Sequence, residues 1–241
     1  KEIIPQCPNL GIGIHLNIVE GRSNIKKRNS LLCKNGIYDK SFAYFLRQKS
    51  NAVLKEEIKD DFRQQIEEAL SFTDIDHINS HRHTSMIPYI FEITCDLAKE
   101  YNIKFIRTTL EPRYFSLSKK DIYRLFGCST NFLKHLLLSK FATSNKKVAQ
   151  QYGLSTNDNF IGVLYTGIMS PTSIISGLNS GLEGITELLF HPCSLHLTNK
   201  EIYLPTVRDY ILNQNRDEER KVLTSKNVYD LIRKLGYDIT N

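Results

Sequence analysis

His77-Ile78-Asn79-Ser80-His81-Arg82-His83-Thr84-Ser85-Met86-Ile87-Pro88 gathers three of the chain's 7 histidines where a short apolar run gives way to a helix. Read as a strand over 76–80, the segment leaves His81 and His83 two residues apart just beyond it, a spacing that lets both project to one side. Imidazole is the commonest metal ligand among side chains, and a clustered pair at a strand's carboxyl end is a candidate metal site. The plain alternative is one solvent-exposed histidine beside one satisfied by a backbone carbonyl.

Upstream, residues 9–18 alternate around glycines, with Ile12, Ile14, Leu16 and Ile18 on one parity and His15 on the other, and read as a strand ending in the loop Glu20-Gly21-Arg22-Ser23. From 41 to 72 the spacing is helical, with a break near Ser50-Asn51 and a stripe of Val53, Ile58, Phe62, Ile66 and Leu70. Pro88 suits the first turn of a helix that stops at Glu100-Tyr101-Asn102. Further strands are predicted at 104–108, 160–165 and 185–190, the last running into His191-Pro192. Helices are predicted within 117–152, 171–182, 206–215 and 225–235. This alternation predicts an α/β fold with a largely parallel sheet, closed as a barrel or open. Functional groups in such folds gather at the carboxyl edge of the sheet, and His15, His81 and His191 all fall near predicted strand ends.

The chain's 241 residues suit one domain over 1–241, and 41% hydrophobic with 24% charged residues is a globular composition able to bury a sizeable core. No apolar run approaches the ~18 to 20 residues of a membrane span, and no signal-peptide apolar segment opens the chain. The expectation is a soluble, cytoplasmic protein without a membrane partner. The 5 cysteines are widely spaced, without a Cys-x-x-Cys pair, and read as free thiols. The net charge of +6 raises nucleic acid as a partner, but the basic clusters at 22–28, 119–124, 134–147 and 216–221 are interrupted and no nucleic-acid-binding motif accompanies them. Nucleic-acid binding is not expected.

Four pieces, in order, carry a resemblance: Gly11-Ile12-Gly13-Ile14-His15-Leu16-Asn17 with Glu20-Gly21; His77 to His83 with Pro88 and Phe91; Ile106-Arg107; and Glu187-Leu188-Leu189-Phe190-His191-Pro192. Together they resemble the YdjC-like carbohydrate deacetylases, which include chitooligosaccharide deacetylases. The resemblance implies a deformed (β/α) barrel that binds one divalent metal ion, magnesium or zinc, and removes the acetyl group from an N-acetylated sugar, with a homodimer as a possible assembly. In that family the ion is held by an aspartate near the N-terminus and by two histidines, which match His15 and His81. The family's His-Pro motif matches His191-Pro192, which implies His191 as proton donor. Arg107, following a strand, could orient an acid or bind a substrate oxygen, or form a surface ion pair; His83 could contact substrate or support the ligands.

The chain departs from the family pattern twice. Ser85 stands where a further histidine usually follows His83, and the Asp-Asp-Phe-Gly-like opening has no counterpart. With Lys1 in place of Met, the expectation is an N-terminally incomplete sequence lacking the family's first strand and helix. Two other readings stay open: a catalytically impaired carbohydrate-binding or regulatory protein of the same fold, and another metal-dependent amide or phosphoester hydrolase.

Overall fold

The computed structural model describes residues 4–23, 30–116, 118, 121–122, 129–194 and 212–240. The chain divides into two compact units, Lys1–Thr108 with Lys140–Asn157, and Thr109–Ser139 with Asp158–Thr240.

In the first unit the elements follow as β1 (Gly13–Leu16), β2 (Cys33–Lys34), β3 (Ile37–Tyr38), α1 (Phe42–Arg47), α2 (Ala52–Leu70), β4 (His77–Ser80), a 3-10 segment (His81–Met86), α3 (Pro88–Glu100) and β5 (Phe105–Ile106). β1, β4 and β5 pair in parallel in that order, whereas β2 and β3 form an antiparallel hairpin around Asn35-Gly36. Parallel neighbours need a crossover, and helices supply it between β1 and β4 and between β4 and β5. β1 alternates as read: Ile14 and Leu16 are buried, and His15 faces the other way.

α2 starts at Asn51, whose side chain accepts from the Leu54 amide at 3.0 Å. Its buried stripe is Leu54, Ile58, Phe62 and Ile66, and it packs on α3 and β1. Val53, expected on that stripe, is 63% exposed, because the inward face runs through its neighbour. Each fully buried side chain of this size contributes roughly 1.5–3 kcal/mol of hydrophobic stabilisation.

The second unit holds the start of α4 (Ser129–Gln151), then β6 (Asn159–Ile161), α5 (Pro171–Leu178), β7 (Thr186–Leu188), α6 (Gln214–Leu223) and α7 (Lys226–Lys234). β6 and β7 pair in parallel. Its core joins Tyr114, Ile161, Leu164, Tyr165, Ile174 and Leu178 to Val228 and Ile232 of α7. The strand expected over 160–165 stops at Ile161. At Gly162 the backbone turns with φ of 133°, and a Cβ there would lie 2.7 Å from that of Leu189. Glu111 then collects the amides of Gly162, Val163 and Leu164, which are thereby lost to a sheet. Residues 206–211 of the helix expected over 206–215, and most of 117–128, lie outside the described residues.

The α/β reading with mostly parallel strands thus agrees with the structure, while the described strands fall into three separate sheets rather than a closed barrel. Among the described residues no helix is long and apolar enough to cross a membrane.

Candidate active site

The site in the first unit starts from sheet register. β1 and β4 pair with His15 opposite Asn79 and Gly13 opposite His77. These four residues share a face because side chains alternate along a strand. Asn79 is 8% exposed and its carboxamide oxygen is hydrogen-bonded to His15 Nδ1. With Nδ1–H donating, His15 keeps Nε2 as a lone-pair nitrogen. Its ring stays open to solvent on one side, yet desolvation lowers its pKa to about 4. The bond to Asn79 opposes that shift, and His81 and Arg107 add to it. His15 is therefore neutral at pH 7, the form that can hold a metal.

His81 follows the last residue of β4, and its ring lies 5.5 Å from that of His15, centroid to centroid, at 77°. Its Nε2 is hydrogen-bonded to Glu20 Oε2 at 3.1 Å, so Nδ1 is the ring nitrogen outside that bond. Arg82 Nη2 reaches the same Glu20 oxygen at 2.9 Å. Desolvation pushes the Glu20 carboxyl upward, but the His81 hydrogen bond and the Arg82 charge outweigh it and hold the carboxyl below its ordinary value. Arg107 is half-buried directly after β5, and its amide donates to Ile78 O at 3.0 Å. His15, His81 and Arg107 thus gather at the carboxyl edge of one parallel sheet.

His83 does not project beside His81. Arg82 and His83 adopt φ of 52° and 58°, the left-handed region, so the extended geometry behind their shared-side expectation ends at Ser80. His83 is 6% exposed, with its side chain turned into the protein. Ser85 closes this turn: its amide donates to Ser80 Oγ at 2.8 Å and the two hydroxyls lie 2.7 Å apart.

Two imidazoles, each with one ring nitrogen held in a hydrogen bond and the first oriented by a carboxamide, suit one divalent ion with metal–nitrogen bonds of ~2.0–2.1 Å. The donor set fits as a pair. Among the described residues no group of three or more His, Cys, Asp or Glu side chains is arranged to hold an ion.

His191 belongs to the second unit, three residues past β7. Its amide donates to Glu219 Oε2 at 2.6 Å. His135 of α4 is buried and hydrogen-bonded through Nε2 to the carbonyl of Glu111 at 3.1 Å, a structural use. Asn79 and Glu219 carried no assigned role in the sequence. Asn79 lay in the quoted motif, and its parity with His77 on a parallel strand was the available signal. Glu219 had none, lying in a charged helix 28 residues from the backbone it holds.

The sequence model of the family described as YdjC-like protein matches residues 2–234. A carbohydrate deacetylase of Thermoanaerobacter pseudethanolicus is 27% identical over 238 residues, 98% of this chain and 78% of its own length. Another from Clostridium beijerinckii is 35% identical over 108 residues, covering 44% of this chain and 42% of that protein. A solved structure from Enterococcus faecalis V583, provisionally named for cellobiose-phosphate cleavage, superposes with a TM-score of 0.68 at 20% identity, covering 100% of this chain and 80% of that one; it speaks for the fold alone. With a family match running nearly end to end, the chain belongs to the YdjC-like protein family.

Proposed function

We propose that the chain is a carbohydrate deacetylase that hydrolyses the acetamido group of an N-acetylated sugar, chitooligosaccharides included, within one deformed (β/α) barrel domain. The observation that carries the reading is the meeting of His15 and His81 at one sheet edge, with Asn79 fixing which nitrogen of His15 is left available. The carbohydrate deacetylases aligned with the chain support the substrate class.

His15 and His81 would hold a divalent ion, magnesium or zinc. Bound there, the ion supplies Lewis acidity toward the acetyl carbonyl. Arg107 contributes a fixed positive charge at the same edge, suited to a substrate oxygen. His83, packed inside the turn that presents His81, supports the ligand from within; a direct substrate contact does not suit its burial. By the family resemblance His191 is the proton donor: it protonates the sugar nitrogen as the C–N bond breaks, the oxygen of water ends on the acetyl carbon, one water proton replaces the one His191 gives up, and the acetic acid formed loses its proton to solvent, giving acetate and a free amine.

The test is acetate release from N-acetylated chitooligosaccharides by the full chain, with and without chelator. Release that stops with chelator and returns with added magnesium or zinc is expected; release indifferent to chelator would sink the metal-assisted reading. His81→Ala should lower the rate by at least ~100-fold, because one of two ligands is removed. An unchanged rate would take His81 out of the site.

A further inference from the structure

α6 buries charged side chains that its sequence does not forecast. Its sequence, Gln-Asn-Arg-Asp-Glu-Glu-Arg-Lys-Val-Leu, belongs on a solvated surface, yet Arg216, Asp217 and Glu219 are 4%, 5% and 0% exposed. A buried carboxylate costs stability unless its oxygens are hydrogen-bonded. Glu219 spends both on backbone amides from two different segments: Oε2 accepts from His191 at 2.6 Å and Oε1 from Met169 at 3.2 Å. Arg216, one turn earlier, lies 3.8 Å from Oε2 and uses its own carbonyl to accept from the Cys193 amide at 3.1 Å. Upstream, the Leu189 amide donates to Ile161 O at 2.9 Å. Pro192 has no amide hydrogen, so α6 anchors both N–H groups between 191 and 193.

We propose that Glu219, set by Arg216, is the positioning residue of His191: it fixes the backbone that carries the imidazole, so that the side-chain torsions are the freedom left to the proton donor. The inference rests on the assignment of His191 made above. Glu219 acts through His191 and touches no substrate.

Acetate release by the full chain from N-acetylated chitooligosaccharides is compared for wild type, Glu219→Gln, Asp217→Asn, His191→Asn and the double variant His191→Asn/Glu219→Gln. Glutamine keeps one acceptor where two amides need one each. Glu219→Gln is expected to lower kcat roughly 10- to 100-fold while KM moves less than about twofold. Asp217→Asn removes the ion pairs to Arg220 and Lys221, both at 2.8 Å on the same helix, and should lower Tm with kcat unchanged. The double variant should be no slower than His191→Asn, since a residue acting through His191 has nothing left to act on.

Equal kcat losses in Glu219→Gln and Asp217→Asn, or a double variant slower than His191→Asn, would reduce Glu219 to a structural residue and overturn the proposal. So would an inactive His191→Asn beside a fully active Glu219→Gln. A wild type that releases no acetate, or a fully active His191→Asn, removes the underlying reading and this inference with it.

Discussion

Because the Asn79 carboxamide oxygen accepts a hydrogen bond from His15 Nδ1–H, the imidazole presents Nε2 in a defined direction instead of sampling two tautomers. Removing that partner leaves both histidines in the chain but releases the orientation of one. Asn79→Ala is expected to weaken zinc binding by roughly 10- to 100-fold in calorimetric titration, the usual effect of losing a group that orients a ligand. Zinc binding as tight as that of the wild type would disconnect Asn79 from the site. The histidine half of this arrangement was legible in the sequence, since parity alone put His15 opposite Ile14 and Leu16. The asparagine half was not, because it depends on the pairing of strands 64 residues apart. The expectation that His83 projects beside His81 failed for a related reason: nothing in a histidine forecasts a φ of 58°, found here in the turn that Ser80 and Ser85 close.

Where β6 ends, Glu111 caps the following turn. Its Oε1 accepts from Gly162 and Val163 at 2.5 and 3.1 Å, and its Oε2 from Leu164 at 2.9 Å. Burial pushes this carboxyl up to about 7, against the downward pull of those amides. A folded-state value above the unfolded one means that the folded chain binds the proton more tightly. The resulting stability is fully present below the unfolded pKa near 4.5 and is lost as pH rises through about 7. The span corresponds to a few kcal/mol at most, on the order of 3. Urea unfolding at pH 5 and pH 8 should show the fall in the wild type, and Glu111→Gln should flatten it. A slope that survives the substitution would assign the pH dependence to other groups. The sequence reading ran the strand on through apolar residues to 165. An apolar run cannot reveal that its amides will be captured by a glutamate 51 residues earlier.

The two compact units are not two stretches of chain. The backbone passes from the first to the second after Thr108 and returns within α4, whose residues are divided between them at Ser139 and Lys140. It leaves the first unit again after Asn157. A helix cannot melt in one half without fraying the other, so cooperative unfolding is expected. Differential scanning calorimetry should give one transition with calorimetric and van't Hoff enthalpies in agreement. Two resolved transitions would instead make the units independent domains. Alternation of strands and helices was enough to read the α/β class and its parallel bias. What stayed hidden was the inward face of α6, because burying Arg216 and Glu219 is tolerable only with partners that tertiary structure supplies.

Gly13 and His77 face each other across β1 and β4 so closely that a methyl group on Gly13 would lie 2.0 Å from the His77 ring. A side chain at 13 would therefore have to swing the His77 ring aside and break its hydrogen bond to Asp76, so the two positions are sterically coupled and the ring keeps its place only over a bare glycine.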